Sequence, residues 1–420
     1  IGADDATTVS QGNGISIIET INAENDCDET SINAGDNTAL CENSGDVDHE
    51  IGAVTQTNTA EAQDFSVIAQ DNIVGLVQNL GVVNDCDGTD GNQATCTNDG
   101  GADNVNEIAD DIVQDNEAHL TTDAISEQFN ELAIGQAASL QNICAESNAG
   151  INQASCVNDG ITNFVGPVTQ ASFNTAGDEA TTATNVQSNE AQTAQALSAT
   201  NSCSEREAGD NLAICDNFAF NDIASITQTS TGQVADDFVQ TNLIGVIGQD
   251  LQATNDCDER NEGNNGDGVN EFCANHVGND IGPVSQSSTA TGTEVADVSQ
   301  NNEISNMNQV VLANNDCDQS GPGDNLADCI IIAGNLIDSI SQVNDATGDL
   351  FADFFQDNDA SISQFLDINN NCDETTFVAS GENNEVACGF SGQNGIGPVA
   401  QVNFANGQFD STIDQDNNAA

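Results

Sequence analysis

The chain has 420 residues and a formal net charge of −67, because 69 Asp and Glu residues are opposed by only two basic side chains, Arg206 and Arg260. This charge excludes nucleic acid as a partner, since affinity for nucleic acid comes mostly from neutralising phosphates, and it disfavours anionic membrane surfaces. Trp and Tyr are absent and no run of 18 apolar residues occurs, which argues against a thick aromatic core and against a membrane-spanning helix.

Cations are the natural small partners of so acidic a chain. High net charge destabilises a compact protein through self-repulsion, and this is tolerated best near 1 M salt, where the Debye length is about 3 Å. The composition therefore favours a halophilic source. A metal-loaded matrix protein and an ordinary acidic secreted protein are the alternatives.

Internal repeats organise the sequence, with a period of about 57 residues. The pattern predicts an all-β fold: one continuous β-solenoid of seven disulfide-stapled repeats plus a C-terminal half repeat, each repeat forming one or two coils. The predicted units are a partial first repeat (1–50), six full repeats (51–107, 108–164, 165–222, 223–280, 281–336 and 337–395) and a half repeat (396–420).

Each repeat is predicted to hold three strand-like pieces followed by a loop. The first piece runs from an apolar residue to a Gln, as in Ile51 to Gln56, and Gly-Pro inside three copies (166–167, 282–283 and 397–398) predicts a bend or bulge. The second piece carries Gln-x-Asn, and the third alternates strictly, as from Val74 to Cys86. The second and third pieces are expected to be joined by a tight turn. That turn would absorb the extra residue found in two repeats.

The recurring amides predict side-chain ladders. Identical positions of a solenoid stack about 4.8 Å apart, so each amide can donate to one copy and accept from the other. The alternative is that these side chains face water. The predicted ladder residues are, in the second pieces, Gln11, Asn13, Gln70, Asn72, Gln128, Asn130, Gln187, Asn189, Gln240, Asn242, Gln300, Asn302, Gln356, Asn358, Gln415 and Asn417, and in the third pieces Gln78, Gln136, Gln195, Gln249, Gln309 and Gln364.

Fourteen cysteines fall into seven local pairs, one per repeat. An even count without CxxC spacing or matching histidines predicts disulfides formed in an oxidising compartment, and hence a secreted, extracellular or cell-surface protein, with zinc as the alternative. The polar start at Ile1 is interpreted as a mature N-terminus. Each disulfide is expected to pin its loop as a hairpin lobe beside a thin core. The pairs are Cys27/Cys41, Cys86/Cys96, Cys144/Cys156, Cys203/Cys215, Cys257/Cys273, Cys317/Cys329 and Cys372/Cys388.

Aspartates flank several of these cysteines and are weak candidate ligands for a cation. Stacked in register they would bring like charges together, which Ca²⁺ or another cation could bridge, although solvated charge is the simpler interpretation. The candidates are Asp26, Asp28, Asp85, Asp87, Asp256, Asp258, Asp316 and Asp318. No other cofactor is predicted. The three histidines are scattered and no catalytic motif occurs, so no enzyme is expected.

Residues 67–72 (VIAQDN) and 354–358 (FFQDN) resemble the repeats of curlin, the extracellular amyloid of bacterial biofilms. The resemblance covers the strands, roughly half of the chain, although the period here is more than twice as long. It implies a secreted, non-enzymatic, self-stacking β-solenoid fibre.

The expected function is therefore a structural subunit of an extracellular acidic filament. Copies would stack head to tail through open ends for adhesion, biofilm matrix or cell-to-cell contact, with Glu19, Ile396, Gln401 and Ile413 at the subunit junction. The alternatives are a non-polymerising adhesin, stalk or sheath protein and a disordered acidic chain that binds cations. Expected partners are further copies of the chain, cations, and other cells or surfaces.

Overall fold

The structure is a computed structural model that describes residues 2–3, 8–27, 38–44, 49–62, 66–88, 93–99, 106–108, 110–120, 124–146, 152–176, 183–206, 211–234, 237–260, 269–320, 326–375, 385–407 and 412–420. All regular structure within these ranges is β-strand. The strands are β1 (Gly2–Ala3), β2 (Thr8–Asp26), β3 (Thr38–Ser44), β4 (His49–Ile51), β5 (Val54–Ala62), β6 (Val67–Gly88), β7 (Gln93–Asp99), β8 (Asn106–Ile108), β9 (Ile112–Leu120), β10 (Ala124–Glu146), β11 (Asn152–Val165), β12 (Val168–Ala176), β13 (Ala183–Arg206), β14 (Asn211–Ile223), β15 (Ile226–Val234), β16 (Asp237–Arg260), β17 (Val269–Ile281), β18 (Val284–Ser320), β19 (Leu326–Ile337), β20 (Ile340–Thr375), β21 (Glu385–Ile396), β22 (Val399–Gly407) and β23 (Thr412–Ala419).

These strands stack into three parallel columns, in which we call each strand a rung. The long-strand column contains β2, β6, β10, β13, β16, the C-terminal parts of β18 and β20, and β23. The return column contains β3, β7, β11, β14, β17, β19 and β21. In the first two coils the C-terminal part of the return strand is a separate short strand, β4 and β8 respectively. The short-strand column contains β1, β5, β9, β12, β15, the N-terminal parts of β18 and β20, and β22.

One repeat forms one coil of the solenoid. Gln128 pairs with Gln70 of the preceding repeat and with Gln187 of the following one, and the other positions keep the same register. In each coil the long strand forms one layer, and the return and short strands form the facing layer. Disulfide Cys86–Cys96 and the hydrogen bond from Asn58 to Asn72 (3.1 Å) join the two layers. The predicted all-β repeat solenoid is confirmed.

The second and third pieces of a repeat form one continuous strand, so the predicted turn between them is wrong. In repeat two this strand is β6, and every residue from Val67 to Gly88 pairs with β10. The extra residue is absorbed by a β-bulge, since the register shifts between Ala191 and Gln192 opposite Gly245. A bulge keeps the inward residues on either side of it aligned with the other rungs.

The first piece is divided by a corner of the coil. Val165 ends return strand β11, Gly166 and Pro167 form the corner, and Val168 begins short strand β12. Proline fits here because it has no N–H to donate to a ladder. Glycine fits because the backbones of adjacent coils approach closely: a Cβ added to Gly282 would lie 1.6 Å from the carbonyl oxygen of Ala224.

Replacement of Gly282 by Ala is expected to lower the free energy of unfolding by about 1–3 kcal/mol, because the added methyl group overpacks the corner against a backbone carbonyl. Urea unfolding followed by circular dichroism measures the change. Gly75→Ala is the matched control, since a Cβ there meets no atom within 4 Å. Equal stability of the two variants would contradict the close approach.

The interior is a series of apolar columns separated by amide columns. Inward and outward residues alternate along each strand, as the burial of β9 illustrates with every second residue buried from Ile112 to Leu120. Separate apolar clusters centre on the cysteines, on Leu80 with Val82, on Leu76 with Ile108, and on Ile68. Between them lie buried Gln and Asn side chains. The core is thin and mostly aliphatic.

Candidate functional site: amide columns and end rungs

The Gln-x-Asn residues form two hydrogen-bonded columns that run through the stack. Each Gln donates to the preceding coil, as from Nε2 of Gln128 to Oε1 of Gln70 (2.9 Å). Each Asn donates to the following coil, as from Nδ2 of Asn130 to Oδ1 of Asn189 (2.8 Å). The two columns therefore have opposite polarity. The Gln column runs from Gln11 to Gln415 and the Asn column from Asn13 to Asn417 without a break.

The same amides also connect the two layers across adjacent coils. Gln128 Nε2 donates to the carbonyl oxygen of Phe173 (3.1 Å), and Asn130 Nδ2 donates to that of Ala171 (2.9 Å), both on short strand β12. A buried amide that lacks partners costs about 1–3 kcal/mol. The Gln and Asn residues of these two columns thus satisfy their donors along the column and across the core, whereas the buried amides of Asn174 and Asn185 have no hydrogen-bond partner among the described residues.

The Gln residues of the third pieces form a further column, in which Gln136 donates to Gln78 and Gln364 donates to Gln309 (2.8 and 2.7 Å). Their remaining donors reach the return strands, as from Gln195 to the carbonyl oxygen of Asp222 (2.9 Å). At the first rung the position is held by Glu19, whose Oε2 lies 3.4 Å from the Nε2 of Gln78.

Several amide columns were not predicted as ladders. One is formed by the Asn residues two positions before the first cysteine of each pair, from Asn25 to Asn315. Another is formed by the Gln residues that close the first pieces: Gln56, Gln114, Gln170, Gln228, Gln286, Gln342 and Gln401. A third lies on the return strands and consists of Asn106, Asn163, Asn221, Asn279, Asn335 and Asn394. Its sequence signal is an Asn two residues before the Ile or Val that ends each return strand.

All seven predicted disulfides are present, and no described cysteine is free. They stack in register, as Cys144 pairs with Cys86 and Cys203. The expected hairpin lobes beside the core are wrong, because the supposed loops contain the strands of the second layer. The second cysteine of each pair lies on a return strand, and these cysteines are Cys41, Cys96, Cys156, Cys215, Cys273, Cys329 and Cys388.

The first pair shows this correction at the end of the stack. The prediction that Cys41 closes a loop is wrong, since Cys41 lies within return strand β3 and pairs in register with Cys96 of the next coil. Its side chain is 1% exposed, and its Sγ, which is bonded to that of Cys27, lies 3.4 Å from the carbonyl oxygen of Asp85 on the facing long strand. Cys41 therefore belongs to the cysteine column of the core, which joins the two layers.

The aspartates next to the cysteines lie on the outward face of the long strands. Asp256 pairs with Asp316 and Asp258 with Asp318, so like charges sit one rung apart. Burial and then the carboxylates of Asp316 and Asp258 raise the pKa of Asp256. Burial raises the pKa of Asp318 as well, followed by the neighbouring aspartates.

The other predicted metal ligands form no cluster among the side chains that the structure describes. Asp26 pairs with Asp85, while Asp87 is placed by its backbone alone, opposite Ala145, and Asp28 lies outside the described residues. Within the described ranges, the groups of three or more possible ligand side chains that lie within 4.8 Å are cysteines already engaged in disulfides.

The end rungs leave inward residues uncovered. Ile396 continues the buried column of Ile337, and Ile413 that of Phe354, yet they are 48% and 47% exposed because no described rung lies over them. Gln401 donates to Gln342 (2.8 Å) in the same last coil. At the opposite end, the inward residues of β2, Glu19 included, are half-buried. The four predicted junction residues therefore lie on the two end coils of the described stack.

No protein-family model, curated protein or solved structure matches the chain. The disulfides fit a secreted or extracellular protein. In the part of the chain that the structure describes, no helix is long and apolar enough to cross a membrane.

Proposed function

We propose that the chain is a structural subunit of an extracellular, highly acidic filament, in which copies stack head to tail through their end coils. The observation that carries the proposal is that amide columns of fixed polarity reach both end rungs. Its job is mechanical: adhesion, biofilm matrix or contact between cells. The resemblance to curlin repeats supports the same architecture.

The end coils have complementary strand content. At the N-terminal end of the stack, the described part of the short-strand column that precedes β5 is only β1, residues Gly2–Ala3. At the C-terminal end, β22 follows the last complete long strand, which belongs to β20. In a head-to-tail pair, β22 of one copy supplies the short strand beside β2 of the next, where β1 by itself covers only the places below Glu61 and Ala62. β2 then stacks on the long-strand part of β20, as β6 stacks on β2 within one copy.

β23 already covers the first part of that place. It pairs with Asp353–Ala360 of β20 through eight residues, whereas β2 is 19 residues long and can pair along the whole long strand. Both strands carry Gln-x-Asn in the same register, so an incoming β2 replaces the hydrogen bonds of β23 with equivalent ones. It also extends the backbone pairing to residues of β20 that β23 does not cover. Elongation is thus a strand exchange, which favours the longer strand.

The polarity of the columns sets the direction of stacking. Gln356 Oε1 is an acceptor at this junction and Asn358 Nδ2 is a donor, at present used by Gln415 and Asn417. Gln11 bonds within its own subunit through Oε1, so it brings its Nε2 to the preceding copy. Asn13 bonds within its own subunit through Nδ2, so it brings its Oδ1. Stacking two like ends would oppose donor to donor and acceptor to acceptor.

Glu19 opposes this junction. Both donors of Gln364 are directed within its own subunit, to Gln309 Oε1 (2.7 Å) and the carbonyl oxygen of Gly395 (3.0 Å). Gln364 therefore offers only an oxygen to the Glu19 carboxylate of the next copy. Together with the overall charge, this predicts assembly that needs molar salt, where Coulomb repulsion is screened.

Negative-stain electron microscopy and light scattering of the 420-residue chain in 0.1 M and molar salt test the proposal. Filaments are expected at high salt. Gln11→Glu is expected to abolish elongation, because it replaces the Nε2 donor offered to the preceding copy by an acceptor and keeps the oxygen that accepts from Gln70. Glu19→Gln is expected to increase assembly and to lower the salt that it requires, because it completes the third-piece column.

Gln252→Glu, on the exposed face of the middle of the stack, is the matched control for added charge and should assemble like the parent. Removal of 396–420 should leave folded rods that do not elongate, because β22 is lost. Single rods from the parent at every salt concentration would favour a non-polymerising adhesin, stalk or sheath protein. Elongation of Gln11→Glu at the parental rate would contradict the polarity mechanism.

A further inference from the structure

One inward position on the return strands departs from the pattern of the stack. Glu271 lies two residues before Cys273, on the side that faces the core. The corresponding residues of the other repeats are small and apolar: Ala39, Ala94, Ala154, Ala213, Ala327 and Val386. A carboxylate at this place in a single repeat has no role in the ladders described above.

Glu271 is buried without a partner. Its side chain is 2% exposed, and neither Oε1 nor Oε2 has a hydrogen-bond donor among the described residues. Gln319, two residues after Cys317 on the long strand, is 1% exposed and its Oε1 also lacks a donor there. Buried polar oxygens without donors are rare in folded proteins, and a buried unpaired charge costs several kcal/mol.

By register, both residues occupy the inward position next to a cysteine of two stacked disulfides, Glu271 on a return strand and Gln319 on a long strand. Gln319 Nε2 crosses the core and donates to the carbonyl oxygen of Leu326 (2.6 Å). Leu326 pairs with Asn270, the residue before Glu271. The disulfide of Cys257 with Cys273 and that of Cys317 with Cys329 lie in adjacent coils, so Glu271 and Gln319 lie on facing strands of neighbouring coils.

We infer that Glu271 and Gln319 form a binding site for a hard divalent cation such as Ca²⁺. Two carboxylate oxygens and one amide oxygen are the ligand types that Ca²⁺ takes, and a bound cation satisfies all three oxygens and neutralises the buried charge. Four outward aspartates of the same two coils (Asp256, Asp258, Asp316 and Asp318) add negative potential around the site.

The pKa of Glu271 agrees with this environment. Burial in the first place, and then the charges of these four aspartates, raises it to about 9. In the absence of a cation the group is therefore neutral at pH 7 and takes up a proton on folding. Cation binding must displace that proton.

Calorimetric titration of the cation-stripped protein with Ca²⁺ and Mg²⁺ in 1 M NaCl tests the inference, because high salt suppresses diffuse binding to the acidic surface. The parent is expected to show one saturable site per chain with release of a proton, and a thermal unfolding midpoint that rises with Ca²⁺. Glu271→Ala is expected to lose the saturable step and the rise. This variant should fold, because Ala occupies the position in most other repeats.

The double substitution of Asp256 and Asp318 by Asn is the control for charge outside the core, and should keep the saturable step with weakened affinity. If this control loses the saturable Ca²⁺ step and Glu271→Ala keeps it, the inference is overturned and the outward aspartates are the binding site. Equal titrations of the parent and Glu271→Ala, or a parental midpoint that Ca²⁺ leaves unchanged, would also overturn it and leave Glu271 a buried neutral acid.

Discussion

Replacement of Gln249 by Leu is expected to lower the free energy of unfolding by about 2–5 kcal/mol. Gln249 donates to Gln195 Oε1 and to the carbonyl oxygen of Asp280, both at 2.8 Å, and accepts from Gln309 Nε2 at 2.8 Å. Leucine fills a similar volume but leaves Gln195 Oε1 without the donor Gln249 and Gln309 Nε2 without the acceptor Gln249, and each unsatisfied buried group costs about 1–3 kcal/mol. Urea unfolding in molar salt, followed by circular dichroism, measures the loss.

Gln252→Leu is the matched control, because Gln252 lies three residues further along the same strand and faces solvent. It is expected to change the free energy of unfolding by less than about 0.5 kcal/mol. If the two variants lose the same stability, the column contributes nothing beyond ordinary strand pairing. The comparison thus separates the contribution of the amide column to the free energy of unfolding from that of the backbone pairing of the strand.

The repeated identities in the sequence were enough to predict the solenoid and the Gln-x-Asn columns. Period-two alternation places Gln128 and Asn130 on the same side as Leu132, and a recurring inward amide has no satisfactory partner except its own copies. The seven disulfide pairs followed from local spacing. These features depend on patterns that repeat along the chain, which a single sequence displays in full.

The return strands could not be predicted in the same way, because their residues have the composition of loops. Asn163 and Asn221 belong to a residue type that favours turns, yet both are fully buried and hydrogen-bonded to each other in the stack. Likewise, the tight turn expected between the second and third pieces does not form, because the stacked neighbours supply backbone partners that hold β6 extended. Tertiary pairing overrides local preference at both places.

The direction of the hydrogen bonds in the amide columns also could not be predicted from the sequence. The Gln and Asn columns have opposite polarity, which depends on how each side chain spans the gap between rungs and on the carbonyl across the core that takes its second proton. Glu271 could have been noticed as the only acidic residue at a position otherwise held by Ala or Val. Its burial without a partner required coordinates.

Replacement of both Cys317 and Cys329 by Ala is expected to lower the free energy of unfolding by about 3 kcal/mol, from the chain entropy of a loop with 12 residues of separation. Both sulfurs are buried between the layers, so the substitution should weaken the packing of the long strand against β19. Amide hydrogen exchange is expected to accelerate in 313–320 and in β19. It should change little around Gln300 and Asn302, whose columns remain intact.

The matched control is the same substitution in the last coil, Cys372→Ala with Cys388→Ala, because Cys372 is only partly buried. Its effect should be confined to 362–375 and β21, which have a neighbouring rung on one side alone within the described stack. If removal of the inner disulfide instead accelerates exchange equally along the whole coil, the disulfides hold the two layers together and the amide columns depend on them. Each coil would then unfold from its cysteine side. Reduction of the disulfides would unfold the whole stack and not only the strand segments next to the cysteines.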